Sequence, residues 1–193
     1  MVSLPINPII LTGNWTQGYA LDKHTESSEY IGEDAFGHKQ FKNVYTKIGG
    51  LLYQLKYNGH HDTSEDILAL AATFLDDWLE GKGIDVILPV PPTKRRDIQP
   101  VYIIAEIIAN HYSIPYSNEV LTKTTDGQAK DMHKDDKNLF ETVKLLKNAK
   151  RKCNILLIDD LFSTGSTINE CVRALRTDKL VNDIYVLTIT KTG

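Results

Sequence analysis

The stretch "NILLIDDLFSTGST", from Asn154 to Thr167, decides the fold of this chain. Its four aliphatic residues, Ile155 to Ile158, are typical of a strand that is buried on both faces of a parallel sheet. Asp159 and Asp160 follow directly, and a run of small and hydroxyl-bearing residues comes next. From Ser166 to Arg176 the apolar residues recur at helical spacing, as Ile168, Cys171, Val172 and Leu175. The stretch therefore predicts a strand, a turn and a helix, with Thr167 and Glu170 at capping-box spacing.

The same alternation of helices and strands extends outward along the chain. Two helices are predicted from Thr46 to "KYNG" and from "DTSED" to Gly81, and a third from about Gln99, with Pro100 in its first turn. Strands are predicted at Ile84–Val90, Ile114–Leu121 and Ile184–Thr190. This order predicts an α/β fold with an open, mostly parallel twisted sheet flanked by helices. Ligands of such sheets gather beyond the carboxyl ends of the strands, where Asp159, Asp160 and residues 90–96 should meet.

The N-terminal region differs in composition from the rest of the chain. Residues 1–44 are irregular and rich in Gly, Thr, Ser and aromatic residues, which predicts short strands and turns. We interpret them as a small N-terminal hood, and residues 45–193 as an α/β core, within one compact domain. The aromatic residues Trp15, Tyr19 and Phe36 lie in this region.

Composition excludes several classes of protein. The chain has 193 residues, of which 41% are hydrophobic and 24% charged, and its formal net charge is −3. This charge balance argues against nucleic acid as a partner. Two cysteines cannot form a disulfide framework. No apolar run is long enough to span a membrane, and the first residues lack the basic segment of a signal peptide. We therefore expect a cytoplasmic protein with no membrane partner.

The adjacent acids and the loop after them suggest a sugar phosphate site. Two neighbouring carboxylates repel each other unless donors, a cation or water surround them, and vicinal sugar hydroxyls or Mg²⁺ could serve. The following residues, Ser163, Thr164, Gly165, Ser166 and Thr167, can form a phosphate cradle at a helix N-terminus. The alternative is a solvated strand end with ordinary helix capping. No Walker A, Asp-x-Asp or GxGxxG motif supports another phosphate site.

Residues 155–167, "ILLIDDLFSTGST", resemble the 5-phosphoribosyl 1-diphosphate (PRPP) binding motif of type I phosphoribosyltransferases. Further stretches resemble the ComF-like subgroup: "LLYQLKYNG", "ILPVPPTKRR", "QPVYIIAEIIA" and "LTKTTDGQAKDMHKDDKNLFETV". The chain departs from that subgroup by lacking a four-cysteine zinc module and by a shorter segment between Pro91 and Gln99. The resemblance implies a type I phosphoribosyltransferase-like fold. It also implies Mg²⁺-dependent transfer of a phosphoribosyl group from PRPP to a nitrogen acceptor, such as a nucleobase, with release of pyrophosphate.

The resemblance also implies roles for individual residues. Asp159 and Asp160 would bind the ribose hydroxyls and, indirectly through Mg-PRPP, the metal, while residues 163–167 bind the 5-phosphate. The turn of Val90, Pro91, Pro92, Thr93 and Lys94 would contact pyrophosphate, mostly through its backbone. The polar stretch Thr122–Asn138 corresponds to a loop that closes over the site. In it Lys123, with Lys130 as second candidate, would neutralise the leaving group. By resemblance, the N-terminal region with Trp15, Tyr19 and Phe36 would form the hood that covers the acceptor base. The resemblance is also compatible with a homodimer.

Other interpretations of the sequence stay open. Arg95 and Arg96 fit a solvated basic turn as well as an anion site. The whole chain could be a PRPP- or nucleotide-sensing regulator or a DNA-uptake accessory that binds without turnover. It could also be an unrelated phosphosugar or nucleotide hydrolase. The acceptor class, whether purine, pyrimidine or another amine, is not determined by the sequence.

Overall fold

The computed structural model describes residues 5–57, 62–92, 99–124 and 142–193. The strands in these ranges are β1 (Ile9–Ile10), β2 (Gln17–Lys23), β3 (Thr25–Glu33), β4 (Lys39–Tyr45), β5 (Ile84–Pro89), β6 (Leu121–Lys123), β7 (Val143–Leu145), β8 (Cys153–Phe162) and β9 (Val181–Lys191). The helices are α1 (Lys47–Tyr57), α2 (Thr63–Leu79), α3 (Pro100–Tyr112) and α4 (Ser166–Leu175). None of these helices is long and apolar enough to cross a membrane.

A five-stranded sheet in the order β1-β2-β9-β8-β5 forms the centre of the fold. Strands β2, β9, β8 and β5 are parallel to one another, and β1 pairs antiparallel with β2 at the edge. Helices cover both faces of this sheet, so the predicted α/β class with a mostly parallel sheet is confirmed. The carboxyl ends of β2, β9, β8 and β5 lie at one rim.

Strand β8 lies inside the sheet, and its side chains alternate between the two apolar layers. Leu156 and Ile158 are buried in the layer that also holds α1, α2 and α3, while Ile155 and Leu157 are buried in the layer that holds α4. All four side chains are at most 3% exposed. Full burial of such a side chain contributes roughly 1.5–3 kcal/mol, which fixes the register of the strand. The same alternation directs Asp159 and Asp160 to opposite faces.

The start of α1 is held tightly against the end of β2. The Thr46 hydroxyl donates to the carbonyl of Lys23 at 2.7 Å and accepts the backbone N–H of Gly49 at 3.0 Å. Thr46 therefore caps the helix in the way that favours threonine at this position. A Cβ on Gly49 would lie 2.0 Å from the carbonyl oxygen of His24, so only glycine allows this approach. The last turn of α1 consequently reaches the rim where β8 ends.

Two local predictions are wrong. The N-cap of α4 is Gly165 and no side chain caps this helix, so Thr167 and Glu170 do not form a capping box. Residues 114–121 are not a strand: Tyr116 makes a single bridge to Ile87, and the chain then turns at Ser117, whose hydroxyl accepts the N–H of Glu119. Extended pairing resumes only at Leu121, in β6.

The short strands predicted for the N-terminal region are present, but they do not form one separate unit. Strands β1 and β2 belong to the main sheet, and only β3 and β4 stand apart as a two-stranded ribbon. Trp15 is buried and Tyr19 packs edge-to-face on Phe74 and Trp78, so neither covers a ligand. Phe36, between the two ribbon strands, is 86% exposed. The ribbon leaves the sheet at the carboxyl end of β2, beside the rim that carries the acids.

Candidate functional site

The two acids at the end of β8 have different neighbours. Asp160 faces α1, where its Oδ2 lies 2.9 Å from Nζ of Lys56. This ion pair is largely withdrawn from water, since the two side chains are 11% (Lys56) and 23% (Asp160) exposed. Oδ1 of Asp159 accepts the backbone N–H of Asp160 at 2.9 Å. Lys56 is not recognisable as a site residue from the sequence, because a lysine in the last turn of a helix is common there without any site.

Burial governs the protonation of Asp159. Desolvation, followed by the charge of Asp160, raises the pKa of Asp159 to about 7, against the opposing effects of the Asp160 N–H, Lys56 and Lys123. The neighbouring His24 has a lowered pKa, first because of desolvation and then because of the charge of Lys56. The end of β8 therefore holds one carboxylate neutralised by a lysine and a second whose charge is costly in the free protein.

The loop after β8 encloses a small recess. Residues 161–168, together with Asp159, line a volume of about 80 Å³, which we call the phosphate recess. Gly165 has φ +76°, and a Cβ there would lie 2.8 Å from Cζ of Phe162. The hydroxyls of Thr164 and Ser166 are 2.8 Å apart. Because the first amides of a helix have no intrahelical acceptor, the start of α4 turns N–H donors and a positive dipole end toward this recess.

A larger cavity lies beside the recess. We call it the carboxylate cavity; its volume is about 320 Å³, at the small end of ligand sites. The described residues that line it are Lys56, Val90, Pro91, Pro92, Gln99, Pro100, Val101, Asp159, Asp160, Leu161 and Thr167. The start of α3 thus adds a second helix N-terminus to the site. Asp159, Leu161 and Thr167 line both spaces, so the carboxylate cavity and the phosphate recess adjoin.

Val90, Pro91 and Pro92, the first residues of the turn after β5, line the carboxylate cavity. The N–H of Val90 already donates to the carbonyl of Ile158 at 2.8 Å. Pro91 and Pro92 have no N–H to donate. These three residues can form a wall of the carboxylate cavity, but their backbone cannot donate hydrogen bonds to pyrophosphate. Thr93 and Lys94, like Arg95 and Arg96, lie outside the described residues, and their predicted role stays a prediction.

Lys123 lies at the end of β6, on a short ribbon with β7 that packs against α4. Arg173 of α4 donates from Nη2 to the carbonyl of Val143 in this ribbon, at 3.3 Å. Lys123 is half-buried, and its charge acts on Asp159. Of the predicted loop Thr122–Asn138, only Thr122 to Thr124 are described; Lys130 lies outside. The structure thus brings Lys123 near the acids, at the base of the stretch predicted to close over them.

Replacement of Asp159 by asparagine should stabilise the free protein at alkaline pH. The pKa of Asp159 is higher in the folded than in the unfolded chain, so its burial costs increasing stability as the pH rises from about 4 to about 7. The advantage of Asp159→Asn in the free energy of unfolding should grow by on the order of 2 kcal/mol between pH 5 and pH 8. Urea unfolding in chelator-treated buffer measures it.

Asp34→Asn is the matched control for this experiment. Asp34 is on the exposed ribbon, and its pKa is lowered by the backbone N–H groups of His38 and Phe36. Asp34→Asn should therefore not increase the free energy of unfolding at high pH. Parallel curves of stability against pH for the wild type and Asp159→Asn would show that Asp159 carries no buried charge.

No protein-family profile and no curated protein sequence matches this chain. Among solved structures it is similar to UMP synthase of Leishmania donovani, with 16% identity, a TM-score of 0.41 and coverage of 85% of this chain. The chain spans only 28% of that enzyme's length.

Two adenine phosphoribosyltransferases are further structural neighbours. The enzyme of Thermoanaerobacter pseudethanolicus has 15% identity, covers 85% of this chain and 95% of its own, and gives a TM-score of 0.44. The enzyme of Saccharomyces cerevisiae, in a complex with an imino-altritol bisphosphate and adenine, has 13% identity, covers 83% of both chains and gives a TM-score of 0.44.

Proposed function

We propose that this chain is a phosphoribosyltransferase that binds Mg-PRPP and transfers its 5-phosphoribosyl group to a nitrogen acceptor, releasing pyrophosphate. One observation carries the proposal: the phosphate recess and the carboxylate cavity adjoin and share Asp159, Leu161 and Thr167. A pentose with a phosphate at one end requires this combination. Its hydroxyls need acceptors, and its phosphate needs backbone donors close by.

Each part of the sugar phosphate has suitable partners. The 5-phosphate would accept hydrogen bonds from the first amides of α4 and from the hydroxyls of Ser163, Thr164, Ser166 and Thr167. The ribose hydroxyls would donate to Asp159 and Asp160. Since these carboxylates leave β8 on opposite faces, they can hold the sugar from two sides. Fixing the ring in this way lowers the entropic part of the barrier.

The residues fit a metal that arrives with its substrate. No cluster of three or more His, Cys, Asp or Glu side chains that could hold an ion occurs in the described ranges. Mg²⁺ is usually bound through one or two carboxylates together with substrate phosphates, which is what Asp159 and Asp160 offer. Bound with PRPP, it would supply charge neutralisation of the diphosphate.

Catalysis would consist of positioning and charge stabilisation. The nitrogen of the acceptor forms a bond to C1 of the ribose while the bond from C1 to the pyrophosphate oxygen breaks, and the electron pair leaves with pyrophosphate. Lys123 is the described side chain that we assign to the developing negative charge of the leaving group. The N-terminus of α3, with its positive dipole end at the carboxylate cavity, favours the same charge. No protein nucleophile is required.

We extend the proposal to the ComF-like subgroup on the basis of the sequence stretches alone. Two of them, residues 51–59 and 87–96, contribute Lys56 and the wall of Val90 to Pro92 to the carboxylate cavity. A nucleobase or another nitrogenous amine is the proposed acceptor, and a homodimer the proposed assembly.

Pyrophosphate release tests the proposed function. Protein incubated with PRPP, Mg²⁺ and a panel of purines, pyrimidines and amines should release pyrophosphate with one acceptor class. The release should be equimolar with a product heavier than the acceptor by one phosphoribosyl group, measured by coupled assay and mass spectrometry. The variant with both Asp159 and Asp160 replaced by asparagine is the negative control. Binding of PRPP without release across the panel would indicate a binding protein, and acceptor-independent release of phosphate would indicate a hydrolase.

A further inference from the structure

In the carboxylate cavity, Lys56 is paired with Asp160, the carboxylate that the proposed substrate would also need. Among the described residues that line the cavity, Lys56 is the single cationic side chain. In the free protein its ammonium is bound to Asp160, with 2.9 Å between Nζ and Oδ2. A sugar hydroxyl that donates to Asp160 must compete with this ammonium group.

Lys56 is the partner that can move. The backbone of Asp160 is fixed within the sheet, because Asp159 and Leu161 are in register with Thr188 and Thr190 of β9. The Thr190 hydroxyl also donates to the carbonyl of Asp160 at 3.5 Å. Lys56 instead ends a flexible four-carbon side chain in the last turn of α1, with three donors that are not tied to one geometry. Ligand binding would therefore displace the lysine and leave the carboxylate in place.

A displaced ammonium group in this cavity requires a new anion. Lys56 is only 11% exposed, and burying an unpaired charge is strongly unfavourable. Among the described residues of the nearby turn, Val90, Pro91 and Pro92 have no free backbone N–H for a diphosphate. A diphosphate on C1 would therefore replace Asp160 as the partner of Lys56. In turn, Lys56 would supply the positive charge that the diphosphate needs.

We propose that Lys56 is the specificity residue of the carboxylate cavity. It forms an ion pair with Asp160 in the free protein and forms an ion pair with the C1 diphosphate when the ligand binds. The inference rests on the proposed function. A ribose phosphate without a C1 anion would leave the displaced lysine unpaired, so the exchange selects for the activated sugar diphosphate over ribose 5-phosphate.

Calorimetric titration of both ligands in the presence of Mg²⁺ tests the exchange. Lys56→Met should weaken PRPP binding by about 10-fold or more, the loss of one charge-assisted contact, while ribose 5-phosphate binding stays within about twofold or becomes tighter. Lys56→Gln, which keeps donors to Asp160 without the charge, should show the same loss of selectivity. Lys56→Arg should restore much of it. Lys47→Met, in the exposed first turn of the same helix, should change neither affinity.

The outcomes separate this inference from the proposed function. If the wild type binds PRPP but the Lys56 variants lose affinity for both ligands by equal factors, Lys56 only supports α1 and the inference is wrong. The same conclusion follows if neither affinity changes. If the wild type binds no PRPP at all, the proposed function itself is refuted, and the exchange falls with it.

Discussion

The double substitution of Asp159 and Asp160 by asparagine should reduce Mg-PRPP binding by about 1000-fold, beyond detection by calorimetry, while the protein stays folded. Each asparagine keeps one carbonyl acceptor but loses the negative charge. Hydrogen bonds to charged groups are worth about 1.5–3 kcal/mol each, and two are removed together with the charge that favours the metal. Removing the charge of Asp159 relieves a desolvation cost, which offsets part of the stability lost when Asp160→Asn leaves Lys56 without its carboxylate.

A matched pair of adjacent acids provides the control. Asp76 and Asp77 follow one another on α2 and do not line either cavity. Their joint replacement by asparagine should leave PRPP affinity unchanged, although the hydrogen bond from the Tyr112 hydroxyl to Asp76 is altered. Circular dichroism and thermal unfolding establish that both double variants are folded. Unchanged PRPP affinity in the Asp159 and Asp160 variant would remove the basis of the proposed site.

Gly165→Ala should weaken PRPP binding by about 100-fold and destabilise the fold. Residue 165 has φ +76°, which costs any residue with a Cβ about 1–2 kcal/mol. The new methyl group would also lie 2.8 Å from the Phe162 ring, so the ring or the loop must shift. We expect a loss of about 2 kcal/mol in the free energy of unfolding. Displacement of the loop would take the first amides of α4 out of alignment with the 5-phosphate, which costs two charge-assisted contacts.

Gly81→Ala separates the effect of the backbone conformation from the effect of the contact with the Phe162 ring. Gly81 follows α2 with φ +70°, but a Cβ there would meet nothing within 4 Å, and the residue lines neither cavity. This variant should lose about 1 kcal/mol of stability from its backbone conformation alone and keep full PRPP affinity. Urea unfolding and calorimetry measure both quantities. Equal effects of the two substitutions on PRPP binding would show that the phosphate recess does not hold the ligand.

The local parts of the fold and site were predictable from the sequence. The strand of β8, its two terminal acids, the small loop and helix α4 follow one another within a few residues, so chain geometry alone places them together. Aliphatic residues at Ile155 to Ile158 and the periodicity of α1, α2 and α3 were sufficient to predict a parallel α/β sheet. The absence of donors at Pro91 and Pro92 is also visible in the sequence, although the use of the Val90 N–H is not.

Other features depended on contacts between distant segments. Strand β2, "QGYALDK", has a glycine and polar residues and no aliphatic run, so its place in the main sheet is determined by pairing with β9. The predicted capping box fails because the helix begins at Ser166 with Gly165 as its N-cap, so Thr167 already lies inside the helix.

The sequence by itself determined which chemical groups stand at the end of β8, since their order is covalent. Only the tertiary structure decided which partners they have. The ion pair of Lys56 with Asp160 arises because Thr46 and Gly49 hold the start of α1 against the end of β2. The raised pKa of Asp159 arises from its desolvation in the fold and from the charge of Asp160. Charge pairing and desolvation depend on distance in space, and no local pattern along the chain specifies that distance.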